Sequence, residues 1–467
     1  MCLIVETGIV PRMKVIVLTF DRLPPSFLGC YGSEQILTPH FDQLAAESVV
    51  FDQHFGENFD PAAANHAWWT GCYQFPRSEE QQRGLQHVTD ALREKGVGST
   101  LIGERPVEGA AARFDHVVEV SGEDGLDVDE EQTPFAQLIS KAAAALDGWP
   151  REDNCPRLLW LKSRGVKFVP LPPRKYVRLC LDRYHDDTGA TVCEADAGAS
   201  EPRSTELASS AFTLQPSAFP SEDDQFDRVI SSLVAAADDE TGRSSLTVDE
   251  WHVVRSVFAG YVRLLDHWVG NLVETIDAHL AGQSLLLIVT AAAGAPAGER
   301  VMMSLPDAPL GNETVHTPML VRVSGAGDEP GGRRQSLIQT VDLVPTLLEW
   351  FDVKPGTMPC EGHSLLPLIG GSKTVLRDYV CLGTGGRAAA IRTTEMYLVS
   401  SAPREGSDDP SDLRLYVKPD DIWEVHDVSA QAADETNSLR QTLERFIENA
   451  RSLVPLVWPK HPDEKSV

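Results

Sequence analysis

Positive charge is scarce in this chain. Its 41 Lys and Arg stand against 69 Asp and Glu, a formal net charge of −28, and no lysine occurs between Lys175 and Lys354. A surface of that sign argues against non-specific partners such as nucleic acid or an anionic membrane, both of which need basic patches. Long apolar runs are also absent: none reaches the roughly 20 residues that a membrane span requires. The amino terminus has no basic stretch followed by a long apolar segment and a small-residue cleavage site, so no secretory signal is expected. The eight cysteines are scattered and include no CxxC pair, which suits reduced thiols better than a disulfide framework or a zinc site. These absences together point to the cytoplasm. One further gap is local: no Ser, Thr or Cys occurs from Asp52 through Trp69.

What is present is enough chain, 467 residues, for one large α/β domain and a smaller one. Short β-branched runs alternate with helical stretches, the pattern of a mostly parallel sheet flanked by helices. Strands are expected at 14–20, 97–102, 157–162, 285–290 and 318–323, and helices at 39–47, 85–95, 134–147, 248–280 and 339–351. The long helix is marked by Val253, Val257, Tyr261, Leu264, Leu265, Val269 and Leu272 at helical spacing. Met13 precedes the first strand directly, so residues 1–12 read as an amino-terminal extension. Residues 185–245 are rich in Asp, Glu, Ser, Ala and Pro and poor in large apolar groups. They read as an exposed acidic insertion, disordered in part. The main α/β domain is expected over 13–371. A carboxy-terminal α+β subdomain is expected over 372–467, with strands at 379–382, 387–391, 396–400 and 413–416, a hairpin loop at 403–412 and a closing helix near 437–452.

Five ordered segments resemble the sulfatase family of the alkaline phosphatase superfamily. They are Val15 to Phe51 with Leu28-Gly29-Cys30-Tyr31-Gly32 and Thr38-Pro39-His40; Trp69-Thr70-Gly71-Cys72-Tyr73; Tyr261 to Asp266 with the strand that follows; Val341-Asp342-Leu343-Val344-Pro345-Thr346 with Glu361-Gly362-His363-Ser364; and Leu415-Tyr416 with Asp434-Glu435-Thr436-Asn437. The resemblance implies an alkaline phosphatase-like α/β sandwich with a mostly parallel central sheet and a smaller carboxy-terminal subdomain. It also implies a Cys or Ser nucleophile, a divalent cation (usually calcium) held by carboxylates, and basic groups that hold the sulfate.

Carried across residue by residue, the pattern is mostly missing. Two adjacent aspartates at the first strand end become Asp21-Arg22, so Asp21 is left as a remnant cation ligand. The nucleophile position falls on Pro61 and its arginine on Asn65. The Asp-His-Gly ligand motif becomes Ala292-Ala293-Gly294. Near Gly103, where a lysine and a histidine are expected, stand Glu104, Arg105 and Pro106. One carboxylate cannot anchor calcium, which takes about six to eight oxygen ligands, so no cofactor is expected.

The leading reading is therefore a sulfatase-like protein that is catalytically inactive and acts by binding or regulation, with an unidentified ligand or protein partner. The alternative is a hydrolase of sulfuric or phosphoric esters that uses an altered site. Arg22, Lys162, Arg164 and His316 are the candidate anion contacts, and Asp60 with His66, near His54 and Glu57, is a candidate relocated polar site. For Asp21 the plain expectation is a salt bridge or cap beside Arg22. Trp68 and Trp69 read as core packing.

Overall fold

The computed structural model describes residues 14–34, 36–105, 113–149, 155–167, 171–187, 227–228, 230–232, 234–235, 248–295, 310–325, 331–354, 358, 360–384, 388–401 and 412–451. The amino-terminal extension, most of the acidic insertion and residues 402–411 of the expected hairpin loop lie outside the described residues.

The main sheet is built from β1 (Lys14–Arg22), β2 (Val49–Phe51), β4 (Gly98–Glu104), β5 (His116–Val120), β6 (Arg157–Gly165), β7 (Leu285–Ala293), β8 (Met319–Ser324) and β9 (Gly332–Arg334). Their order across the sheet is β5-β4-β6-β1-β7-β8-β2-β9. From β5 to β7 every pairing is parallel, and β8 runs antiparallel to β7. The β3 pair (His54–Phe55) lies beside β10 (Ile338–Gln339) in a separate small sheet.

β1 sits at the centre with both faces covered, so it reads as an unbroken apolar run rather than an alternating one. Ile16, Leu18 and Phe20 face one core, shared with the helices Pro134–Asp147 and Val248–Leu280. Val15 and Val17 face the other, shared with the helices Pro61–Thr70, Val88–Glu94 and Leu343–Trp350. The 33-residue helix runs over the span its apolar spacing marks, with Val257, Tyr261, Leu264, Leu265, Val269 and Leu272 all buried. Each such side chain contributes about 1.5–3 kcal/mol by leaving water.

The carboxy-terminal unit is an antiparallel meander of β11 (Tyr379–Thr384), β12 (Ala388–Thr393), β13 (Met396–Ser401) and β14 (Asp412–Val417), covered by the helix Ala433–Arg451. It shares a core with the main domain: Tyr73, Phe75 and Val341 pack with Ile391, Leu398, Leu415, Leu443 and Phe446. The fold is thus the α/β sandwich with a separate antiparallel subdomain that the segment order implies.

Candidate functional site at the strand ends

Because β4, β6, β1 and β7 run parallel, their carboxyl ends share one edge of the sheet, the edge where open α/β folds place their chemistry. Thr19 pairs with Lys162 on β6 and with Thr290 on β7. Side chains on a strand alternate faces, so Asp21, Lys162 and Ala292 belong to the face covered by the helix Pro61–Thr70. There the Lys162 ammonium lies 3.1 Å from Asp21 Oδ1 and 3.4 Å from Oδ2. The salt bridge expected of Asp21 is made with Lys162, on the neighbouring strand. Arg22 contributes its backbone carbonyl, which accepts the Val166 N–H at 2.9 Å, and it forms no ion pair among the described residues.

The end of β7 is sealed. Ala291, Ala292 and Ala293 are each at most 1% exposed, and the loop after β3 packs directly on them. Gly56 donates its N–H to the Val315 carbonyl at 2.7 Å, and a Cβ at position 56 would stand 2.5 Å from the Ala292 carbonyl oxygen. Glycine is needed at 56 for this approach.

Helix Pro61–Thr70 starts where its sequence says it should. Asp60 caps it by accepting the Ala62 N–H at 2.9 Å, Pro61 occupies the first turn, and Gly71 ends it in the left-handed region at φ 68°. Asp60 is exposed and serves as that cap. His66 is half-buried, with its Nδ1 unpartnered among the described residues, and burial together with nearby Arg113 holds its pKa below the ordinary imidazole range. No contact joins Asp60 to His66 among the described residues. Asn65 is buried, and its Oδ1 has no hydrogen-bond partner. Trp68 and Trp69 are core residues, as their pattern suggests: their rings lie 6.5 and 6.2 Å from that of Trp160, and Phe114 closes the cluster.

The other candidates scatter. His316 is half-buried between Tyr31 and Phe55, and its Nε2 lies 2.9 Å from the Asp52 carbonyl; desolvation pushes its pKa down to about 4. Its Nε2 is thus engaged by a backbone carbonyl. His54 and Glu57, read as part of a polar loop, are completely buried. His54 Nδ1 lies 2.7 Å from the Thr317 hydroxyl, and the Glu57 carboxylate accepts the Phe75 N–H. Arg164 is exposed.

A second ionic cluster at this edge was not foreseen. Lys167 lies 2.9 Å from Asp124 and 3.5 Å from Glu104, and the Ser163 hydroxyl donates to Glu104 at 2.6 Å. Burial raises the Glu104 pKa, while Lys167 and the Ser163 hydroxyl act in the opposite direction. The departure at Glu104 was the signal in the sequence; its partners, 59 and 63 residues further on, become visible only once β6 is placed beside β4. Among the described residues, no group of three or more His, Cys, Asp or Glu is gathered to hold a metal ion.

The sulfatase family model matches residues 14–353. The chain belongs to the sulfatase family. Sequence similarity to individual relatives is local. The chain is 25% identical over 134 residues to the multifunctional alkaline phosphatase superfamily protein PehA of Trinickia caryophylli, and 36% identical over 59 residues to iduronate 2-sulfatase of Mus musculus. These alignments take in 28% and 13% of this chain, but only 25% and 10% of the two relatives. Structural similarity is global. A structure solved in complex with its substrate D-glucosamine-2-N,6-O-disulfate superposes with a TM-score of 0.69, at 17% identity, over 95% of this chain and 99% of the other. The phosphonate monoester hydrolase of Agrobacterium radiobacter gives 0.62 at 16% identity, over 92% and 95%. At such identities the likeness is one of fold. Sulfatases and phosphonate monoester hydrolases share this sandwich, and function resides in the site rather than the fold.

Proposed function

We propose that this chain is a non-catalytic member of the sulfatase family that acts through binding or regulation by its retained fold. The observation that carries this reading is the state of the strand ends: Asp21 is held by Lys162, and the β7 end is three buried alanines under a closed loop. Calcium takes about six to eight oxygen ligands at 2.3–2.6 Å, several of them carboxylate. Among the described residues, the family's ligand positions at the strand ends offer one carboxylate, already engaged by an ammonium, with Arg22 as its neighbour in sequence. The family's cation does not fit these residues.

The nucleophile position points the same way. Pro61 has no hydroxyl or thiol, and the hydroxyls described nearby, those of Thr19, Ser163 and Thr290, are buried and hydrogen-bonded, that of Ser163 to Glu104. A nucleophile needs an open line to the ester and a base to take its proton. Ser163 has Glu104 as a proton acceptor but, fully buried, no open line to an ester.

Calorimetric titration of the purified protein with calcium, magnesium, manganese and zinc tests this reading. The expected result is no saturable binding up to millimolar concentration. Micromolar affinity that disappears in Asp21→Ala would overturn it.

A further inference from the structure

We propose that Lys162 is a tethered substitute for the family's cation: its ammonium neutralises Asp21 from within the chain, so the strand-end site is complete without a divalent ion and closed to one. The proposal rests on the reading above that no cation is seated at Asp21, and it adds the identity of the group that takes over the charge.

Charge and geometry support it together. An ammonium brings one positive charge to one carboxylate: it donates to Oδ2 at 3.4 Å and lies 3.1 Å from Oδ1, which has no hydrogen-bond partner among the described residues. That is a one-to-one balance. A divalent ion in the same place would leave a net positive charge and several unfilled oxygen positions. The lysine stands on the strand adjacent to β1, on the same face as Asp21 and two residues after Trp160. Trp160 is fully buried, and its indole N–H donates to the Thr19 hydroxyl at 3.1 Å, which ties the two strands together next to the pair. Lys162 and Asp21 are only 12% and 20% exposed. A pair so enclosed is screened less by solvent than the usual surface ion pair.

The loss of carboxylates elsewhere fits the same arrangement. With Arg22 in place of the second aspartate and alanines along the β7 end, one acid remains to be neutralised. One lysine does that. A tethered cation is present at every ion concentration, so the native state gains nothing from added metal by mass action.

The experiment is a double-mutant cycle with Asp21→Asn, Lys162→Met and the double variant, each followed by urea denaturation with and without calcium or a chelator. The expected result is that each single variant loses stability while the double variant loses much less than the sum, a coupling of roughly tenfold in the unfolding equilibrium. The wild-type midpoint should be the same in calcium and in chelator. Lys162→Arg, which keeps the charge, should retain most of the stability and stands in if Lys162→Met does not fold. Additive effects, or a wild-type midpoint that rises with calcium, would overturn the proposal. Ester turnover is a separate readout: its appearance would retire the non-catalytic reading, whereas additivity in the cycle would retire only the role of Lys162.

Discussion

Arg77 and Glu361, 284 residues apart in the chain, form a buried ion pair in which both guanidinium nitrogens reach the carboxylate, at 2.8 and 2.5 Å. Their side chains are 3% and 2% exposed. Glu361 also accepts the Tyr73 N–H at 2.9 Å, and its own N–H donates to the Gly71 carbonyl at 2.9 Å. The end of helix Pro61–Thr70 is therefore pinned to the segment that leads into the carboxy-terminal unit. Removing one partner strands the other charge in the core. Arg77→Met should cost about 3–5 kcal/mol, read as a loss of denaturant midpoint. A change under about 1 kcal/mol would match a solvated surface pair instead.

Glu57, His54 and His316 are among the groups that shape the pH dependence of stability; buried His87, also held down to about 3, acts with the histidines. Burial pushes Glu57 up to about 8 and pushes His54 and His316 down to about 3 and about 4. Glu57, with its folded pKa raised, contributes stability that is complete at low pH and is lost as pH rises toward 8. The histidines, with folded pKa values lowered, work the other way: unfolded imidazoles take protons below about pH 6.5 that the folded ones refuse. Through pH 6.5–8 the unfolded imidazoles lose the last of their protons, an opposing effect that fades above about pH 7.5 and leaves Glu57 dominant among these groups. Stability should fall there by at most about 1.4 kcal/mol per pH unit, and by about half of that at pH 8. Urea denaturation across this window should show the decline in the wild type and a flattened profile in Glu57→Gln. An unchanged slope in the variant would show that Glu57 is not held as the acid.

Restoring a carboxylate at the β7 end should harm the protein rather than rebuild a cation site. Ala292 is fully buried in the core that contains Ile288 and Trp68, and its carbonyl is pressed against Gly56. Ala292→Asp puts an unpaired acid into that core, and a loss of a few kcal/mol is expected, in line with other unsatisfied buried charges. Thermal denaturation with and without calcium reads both parts. A stable variant whose midpoint climbs with calcium would show that the loop opens to admit the ion.

The indole cluster beneath the site should behave as core. Trp69 is 3% exposed and packs edge-on against Phe114 and Trp160. Trp69→Ala should cost about 3–5 kcal/mol, as for other large-to-small changes at buried aromatic positions. A near-neutral result would mean that the ring lines a cleft instead.

The elements that carry a long period were legible in the sequence. The helix Val248–Leu280 and the strands β1, β6 and β7 were visible from spacing and apolar runs alone, each ending within a few residues of its expected bounds. Short pieces such as β2, β3 and β9, two or three residues each, have too few side chains to show a period and were missed. The pairing of Asp21 with Lys162 was hidden for another reason. It depends on β6 lying beside β1, and strand order is a long-range property that neither segment encodes locally. His54 and Glu57 misled because polar residues in a connecting segment usually face water. Here the carboxy-terminal sheet covers them, with the Gly383 N–H donating to the Glu57 carbonyl at 2.9 Å and the Arg392 guanidinium 4.6 Å from the centre of the Phe55 ring. Pro61, Ala292 and Ala293, on which the proposed loss of chemistry rests, are read directly from the sequence, because each is a residue type without a hydroxyl, thiol, carboxylate or imidazole.

The central claim is that these strand ends do not carry out ester hydrolysis, and a turnover assay tests it most directly. Purified protein is incubated with 4-nitrophenyl sulfate, 4-nitrophenyl phosphate and a 4-nitrophenyl phosphonate monoester, each with calcium, magnesium, manganese or zinc, and nitrophenol release is followed. The expected result is release no faster than in buffer for every substrate and ion. Steady release by the wild type that vanishes in Asp21→Ala would contradict the account.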